Sequence, residues 1–112
     1  MGITVVIDSA TISTTEYWLA SDSTVKVDQT DDCILQGWID FGAMAAGDVF
    51  EWRLVEKVNA GTQRTVVVGR LVGVQGSPVV LTGFILAEGW EIGVIKISGT
   101  DRSIAWSLRK VT

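Results

Sequence analysis

Val49-Phe50-Glu51-Trp52-Arg53-Leu54-Val55-Glu56-Lys57-Val58, then Asn59-Ala60-Gly61-Thr62-Gln63, then Arg64-Thr65-Val66-Val67-Val68-Gly69-Arg70-Leu71-Val72-Gly73-Val74, is the stretch that decides the fold. In its first run Phe50, Trp52 and Leu54 recur with a period of two, with Glu51, Arg53 and Lys57 on the other side. Period two places alternate side chains on opposite faces of a strand, so this run predicts a half-buried antiparallel strand. The second run is crowded with β-branched residues, which fit a pleated surface. The five residues between them include the glycine that hairpin loops favour. The two runs predict a β-hairpin.

Working outward, residues 90–98 and 103–111 flank Gly99-Thr100-Asp101-Arg102 in the same manner and predict a second hairpin, with Ile104, Trp106 and Leu108 on one face. Between the hairpins, Gln75-Gly76-Ser77-Pro78 punctuates the chain, and residues 79–87 form an apolar run of strand length. Upstream, residues 34–41 predict a strand that ends at Gly42-Ala43-Met44-Ala45-Ala46-Gly47-Asp48, where the alanines are compatible with one helical turn. No other segment reads as helix. Short strands at regular spacing with turns between them, and no helical crossovers, predict an all-β fold: an antiparallel β-sandwich, jelly-roll-like, in one domain. Residues 1–30 are rich in Ser, Thr and Asp and alternate less regularly, so an N-terminal edge strand or an arm that reaches a neighbouring subunit is expected there, with residues 31–112 as the sandwich body.

The totals agree with a folded domain. The chain has 112 residues, enough for one core, and it is 47% hydrophobic with 20% charged residues and five tryptophans. No apolar run reaches the roughly 18 residues of a membrane-spanning helix. The start, Met1-Gly2-Ile3-Thr4-Val5-Val6-Ile7-Asp8, lacks the basic region and cleavage site of a signal peptide, so a soluble protein made in the cytosol is expected. With Cys33 as its one cysteine, the chain has no internal disulfide and relies on packing. A net charge of -4 and a pI near 4.6 argue against a nucleic-acid partner, because phosphates are neutralised by Lys and Arg.

Chemistry-bearing patterns are scarce. Histidine is absent, which removes Ser-His and Cys-His pairs and imidazole bases. Cys33 has Asp31 and Asp32 beside it, and like-charge proximity raises a thiol pKa instead of activating it. Paired carboxylates can hydrolyse a glycosidic bond across a cleft, but Glu51 and Glu56 sit on opposite faces of one strand, and Glu88 and Glu91 flank a turn. Asp28, Asp31 and Asp32 match no calcium-loop spacing. No phosphate-binding glycine motif is present. Neither catalysis nor a cofactor is therefore expected. Trp52 and Trp106 lie within apolar faces and read as core, whereas Trp18, Trp38 and Trp90 have polar or turn neighbours. With Tyr17, those three tryptophans are the candidates for an interface, since aromatic rings anchor partners and stack on sugars.

Thr30-Asp31-Asp32, Ala45-Ala46-Gly47-Asp48, Glu56-Lys57-Val58, Gly61-Thr62-Gln63-Arg64, Gln75-Gly76-Ser77-Pro78, Glu88-Gly89-Trp90 and the stretch from Gly99 through Ser107 occur in order. Over roughly residues 10–112 this resembles small β-rich virion proteins of tailed bacteriophages, of the head decoration or cement type. The resemblance implies a homotrimer on the capsid surface that bridges major capsid protein subunits and stabilises the head, with no catalytic residues. The alternative is a carbohydrate- or receptor-binding module on a phage tail or fibre, with Trp38 or Trp90 as the stacking platform.

Overall fold

The computed structural model describes residues 2–57 and 61–112. Eight strands follow one another: β1 (Ile3–Ile12), β2 (Tyr17–Trp18), β3 (Cys33–Asp40), β4 (Val49–Lys57), β5 (Gln63–Val72), β6 (Val79–Leu86), β7 (Glu91–Ser98) and β8 (Arg102–Val111). They form two antiparallel sheets of four strands, ordered β1-β8-β3-β6 and β2-β7-β4-β5. Each chain-order pair β1·β8, β2·β7, β3·β6 and β4·β5 is hydrogen-bonded. Two antiparallel four-stranded sheets make the β-sandwich the sequence predicts. Among the described residues no helix is long and apolar enough to cross a membrane.

The period of two decides which side chains are buried. On β3, Cys33, Leu35 and Ile39 face the core while Ile34, Gln36, Trp38 and Asp40 face out. On β8, Ile104, Trp106, Leu108 and Lys110 face in. Phe50 and Leu54 from β4 meet them from the other sheet, with Ile92 and Val94 from β7. The alternation of β4 breaks where its register against β5 shifts between Leu54 and Val55, and both of those side chains are buried. Gly37 sits at a second irregularity, in the β3·β6 register. A Cβ there would run into the carbonyl oxygen of Ser107 on β8, so the close approach of these two strands requires glycine.

The hairpin read from residues 49–74 is present as β4 and β5, paired from Val49↔Val72 to Lys57↔Gln63. Its connecting loop, expected over residues 59–63, falls partly outside the described residues, which omit Val58, Asn59 and Ala60. The second expected hairpin is not one. β7 lies in one sheet beside β2 and β4, and β8 lies in the other between β1 and β3. Residues 99–101 carry the chain across the end of the sandwich, with Gly99 at a left-handed φ of 96°. Both strands bury one apolar face, and that pattern is the same whether two strands pair side by side or oppose each other across a core. The helical turn considered for residues 42–48 is also absent, and turns occupy that connection.

The segment after β2 is held down by Glu91, whose side chain is fully buried. Its carboxylate accepts the N–H groups of Ala20 (3.0 Å), Ser21 (2.8 Å) and Ile92 (2.8 Å) and the Ser21 hydroxyl (2.5 Å). Burial pushes its pKa up, and these bonds pull it partly back. Glutamine would turn an NH2 group towards backbone donors, so Glu91→Gln should cost about 2 kcal/mol. Faster amide exchange at Ala20 and Ser21 should accompany that loss, and protection equal to wild type would refute the anchoring role.

Candidate interaction surface

The outer face of the β1-β8-β3-β6 sheet is apolar as well as the inner one. Register lays its side chains out in rows. Ile3, Val111, Ile34 and Ile85 stand side by side across all four strands, and Ile7, Ser107, Trp38 and Val80 form a parallel row. Val5, Arg109 and Gln36 lie between the two. Ile85 is 85% exposed, Ile7 71%, Ile3 65% and Trp38 42%. Among the outward-facing residues of these four strands, Asp40 and Arg109 carry the only charges. The Arg109 guanidinium lies 4.0 Å from the centre of the Trp38 ring, a cation–π contact. A shallow depression of about 170 Å³ opens beside it, bordered by Trp38, Asp40, Ala105 and Ser107. Single exposed apolar side chains are ordinary on any protein, but contiguous apolar faces mark interaction sites. With strands about 4.8 Å apart and a rise of about 3.3 Å per residue, the two rows and their side chains cover roughly 400 Å².

The outer face of the second sheet is different in kind. Val66, Val68 and Val72 are exposed there, but ion pairs cross the surface: Glu51 with Arg70 at 2.8 Å and Glu16 with Arg53 at 2.7 Å.

The four aromatic candidates separate. Trp38 alone stands on the exposed apolar face. Trp90 is wholly buried, with its indole N–H donating to the Asp31 carbonyl at 3.1 Å, so it is core and not a stacking platform. Trp18 is buried on the second sheet, where Gly93 leaves room for its ring. Lys26 and Arg53 lie 5.1 and 5.3 Å from the centre of that ring. Tyr17 is half-buried at the sandwich edge, its hydroxyl donating to Asp22 at 2.8 Å and its ring 5.5 Å from Trp106. Burial first, then the hydrogen bond and charge of Asp22, push the Tyr17 pKa up to about 12. Trp106 is core as expected, and Trp52 packs half-buried against the core.

The titratable residues weighed for chemistry mostly have structural partners. Glu51 pairs with Arg70, and Glu56 accepts the Ala87 N–H at 3.0 Å. Asp31 pairs with Lys110 at 2.9 Å, and Asp28 accepts from Gln63 at 3.0 Å. Cys33 is buried, and burial pushes its thiol pKa up, with Lys110 opposing and Asp31 and Asp32 adding to the rise.

Sequence reasoning located Trp38 but missed the face around it. Of the missed residues, which include Ile34 and Val111, Ile3, Val5, Ile7, Val80 and Ile85 share one signal: apolar residues at both parities. Ile3-Thr4-Val5-Val6-Ile7, Val79-Val80-Leu81 and Phe84-Ile85-Leu86 do not alternate, and such runs belong to strands covered on both faces. Here one of the two faces is uncovered. Compared with protein-family models, curated proteins and solved structures, the chain matches none.

Proposed function

We propose that the protein is a non-enzymatic structural protein of a phage virion, a capsid decoration protein that seats the outer face of its β1-β8-β3-β6 sheet on the major capsid protein. The observation that carries this is the uncovered apolar face, with two charges among its outward side chains. Such a face suits a protein partner with an apolar ledge, and repetition over a capsid lattice multiplies a modest single contact into strong retention. The resemblance of its turn motifs to small phage virion proteins implies the same class of partner. Lysine at Ile85 places a charge at the most exposed apolar position of the face and should weaken binding to heads at least about tenfold. Its effect on the fold should be small, within about 0.5 kcal/mol, because the side chain contacts no core. Equal retention of wild type and Ile85→Lys on depleted heads would overturn the docking face. Heads that survive heat equally with and without the protein would overturn the cementing role.

A carbohydrate- or receptor-binding module on a phage tail or fibre is the second reading, and the exposed Trp38 ring beside a shallow depression is what favours it. Arg109 already occupies one face of that ring, and a sugar stacking on that face would have to displace it. Quenching of tryptophan fluorescence by glycans, lost in Trp38→Ala, would select this module over the decoration protein.

A further inference from the structure

We infer that the free edge of β1 pairs with the β1 edge of a second copy of this chain, joining the two outer faces across a two-fold axis, a dimer in place of the homotrimer that the resemblance implies. The direction of its backbone groups follows from one end of the strand. Gly2 and Thr112 exchange both hydrogen bonds, at 3.0 and 2.9 Å. In an antiparallel ladder such pairs alternate with pairs that exchange none. The even residues of β1 therefore bond to β8, and Ile3, Val5, Ile7, Ser9 and Thr11 aim their N–H and C=O groups at the other edge. Ser9 agrees with this, since its N–H turns away from β8 and donates to the Asp8 carboxylate at 2.7 Å. That bond caps the edge at Ser9, leaving residues 3–7 as the open window.

Edge strands are normally protected by lysine, proline, a bulge or shortness. The window has none of these: it reads Ile3-Thr4-Val5-Val6-Ile7, and its register against β8 is unbroken over ten residues. The other three edges are protected. β2 has two residues. β5 carries Arg64 and Arg70 and a register shift against β4. β6 follows Pro78, and its register against β3 is interrupted.

A second copy fits the window by its own symmetry. With the axis at Val5, Val5 opposes Val5 and Ile3 opposes Ile7 on the outer face, while Thr4 opposes Val6 on the inner one. Every opposed pair is β-branched and uncharged, so two acidic chains meet without repulsion there. The odd residues bring both their outward side chains and their free backbone groups to the joint, giving six main-chain hydrogen bonds in this register. The apolar rows then run on from one sheet into the next. One face of roughly 400 Å² falls short of the roughly 800 Å² that each partner gives to a standard interface, and two joined faces reach it.

The test is native mass by sedimentation over a dilution series of the full chain, with Val5→Pro, Val5→Lys and Ile85→Lys alongside. The wild type should sediment at twice the 12.1 kDa chain mass. Val5→Pro removes an N–H that faces the free edge and no bond to β8, and Val5→Lys adds charge at an exposed position. Both should raise the dimer dissociation constant at least about 100-fold while keeping the wild-type circular dichroism spectrum. Ile85→Lys should remain dimeric, which separates this pairing from docking to a capsid. A monomeric wild type, a trimer, or a dimer that survives both Val5 variants would overturn the pairing.

Discussion

Replacing Asp48 with alanine should lower the melting temperature by roughly 10 °C at neutral pH, and the deficit should shrink as the pH falls towards 2. Asp48 is buried where three connections converge at one end of the sandwich. Its carboxylate accepts the N–H groups of Ala45 at 2.9 Å and Thr100 at 3.0 Å and pairs with Arg102 at 2.7 Å. Its carbonyl accepts the Gly73 N–H at 2.8 Å. The crossing from β7 to β8 packs so closely on Asp48 that a Cβ at Gly99 would strike its side chain. Alanine leaves two backbone donors and a partly covered guanidinium without their acceptor, and removing one partner of such a set costs more than the set contributes on balance.

The pH dependence follows from the direction of the shift. The Ala45 N–H, then the Thr100 N–H, then Arg102 hold the Asp48 carboxyl down to about 2, from an ordinary 3.8. A depressed carboxyl stabilises the fold above its unfolded value and loses that contribution as pH falls through the folded one, so wild type should weaken between about pH 4 and pH 2. Glu91 acts in the opposite sense. Burial raises its pKa, so its proton-linked contribution is complete at low pH and is lost as pH rises through the folded value. Acid sensitivity in that window therefore belongs to Asp48 and not to Glu91. Thermal melts of wild type and Asp48→Ala at pH 7, 4 and 2 decide the matter. A deficit that stays constant across the series would mean that the carboxylate charge does not hold this end of the sandwich together.

What the sequence made legible and what it hid have a common physical cause. Alternation reports which side chains share a face, and it located β4, β7 and β8 because each buries one side: Phe50 and Leu54, or Ile104, Trp106 and Leu108; β5 and β6 were read from β-branched and apolar runs. It does not report which strand lies beside which. β7 and β8 therefore read as a hairpin although they oppose each other across the core, and Asp48, on which the crossing packs, stood as the last residue of a segment compatible with a helical turn. Nor does alternation report whether an outward face is covered. The apolar runs at residues 3–7, 79–81 and 84–86 carried that information only as an excess of hydrophobic residues at the wrong parity. Trp90 carried a surface alternative beside its core reading for a related reason: its neighbours Glu88, Gly89 and Glu91 are turn-like and polar in sequence, while in space Glu91 turns to the 20–21 backbone and the indole turns inward.

Trp90→Ala should remove about 4 kcal/mol of stability, the largest loss expected from any single truncation of an apolar side chain in this fold. The indole is the largest fully buried side chain, and it belongs to the core cluster with Leu35, Ile92 and Leu108. It also ties the long β2–β3 connection to the sandwich. The Trp90 carbonyl accepts the Gln29 N–H at 2.9 Å, and the indole N–H holds the Asp31 carbonyl. Asp31 in turn pairs with Lys110, an inward-facing cation at the end of β8. Truncation leaves a cavity that packed neighbours can only partly fill, frees the Asp31 carbonyl, and loosens the segment that neutralises Lys110. Against a total stability of roughly 5–15 kcal/mol for a domain of this kind, the variant should be marginally folded at 37 °C. Phenylalanine should recover most of the loss, because it refills the apolar volume and forgoes only the indole hydrogen bond. Urea denaturation of wild type, Trp90→Phe and Trp90→Ala measures the ordering. Near-equal midpoints for all three, with loss confined to partner binding, would place Trp90 at a surface and overturn its role as the central core residue.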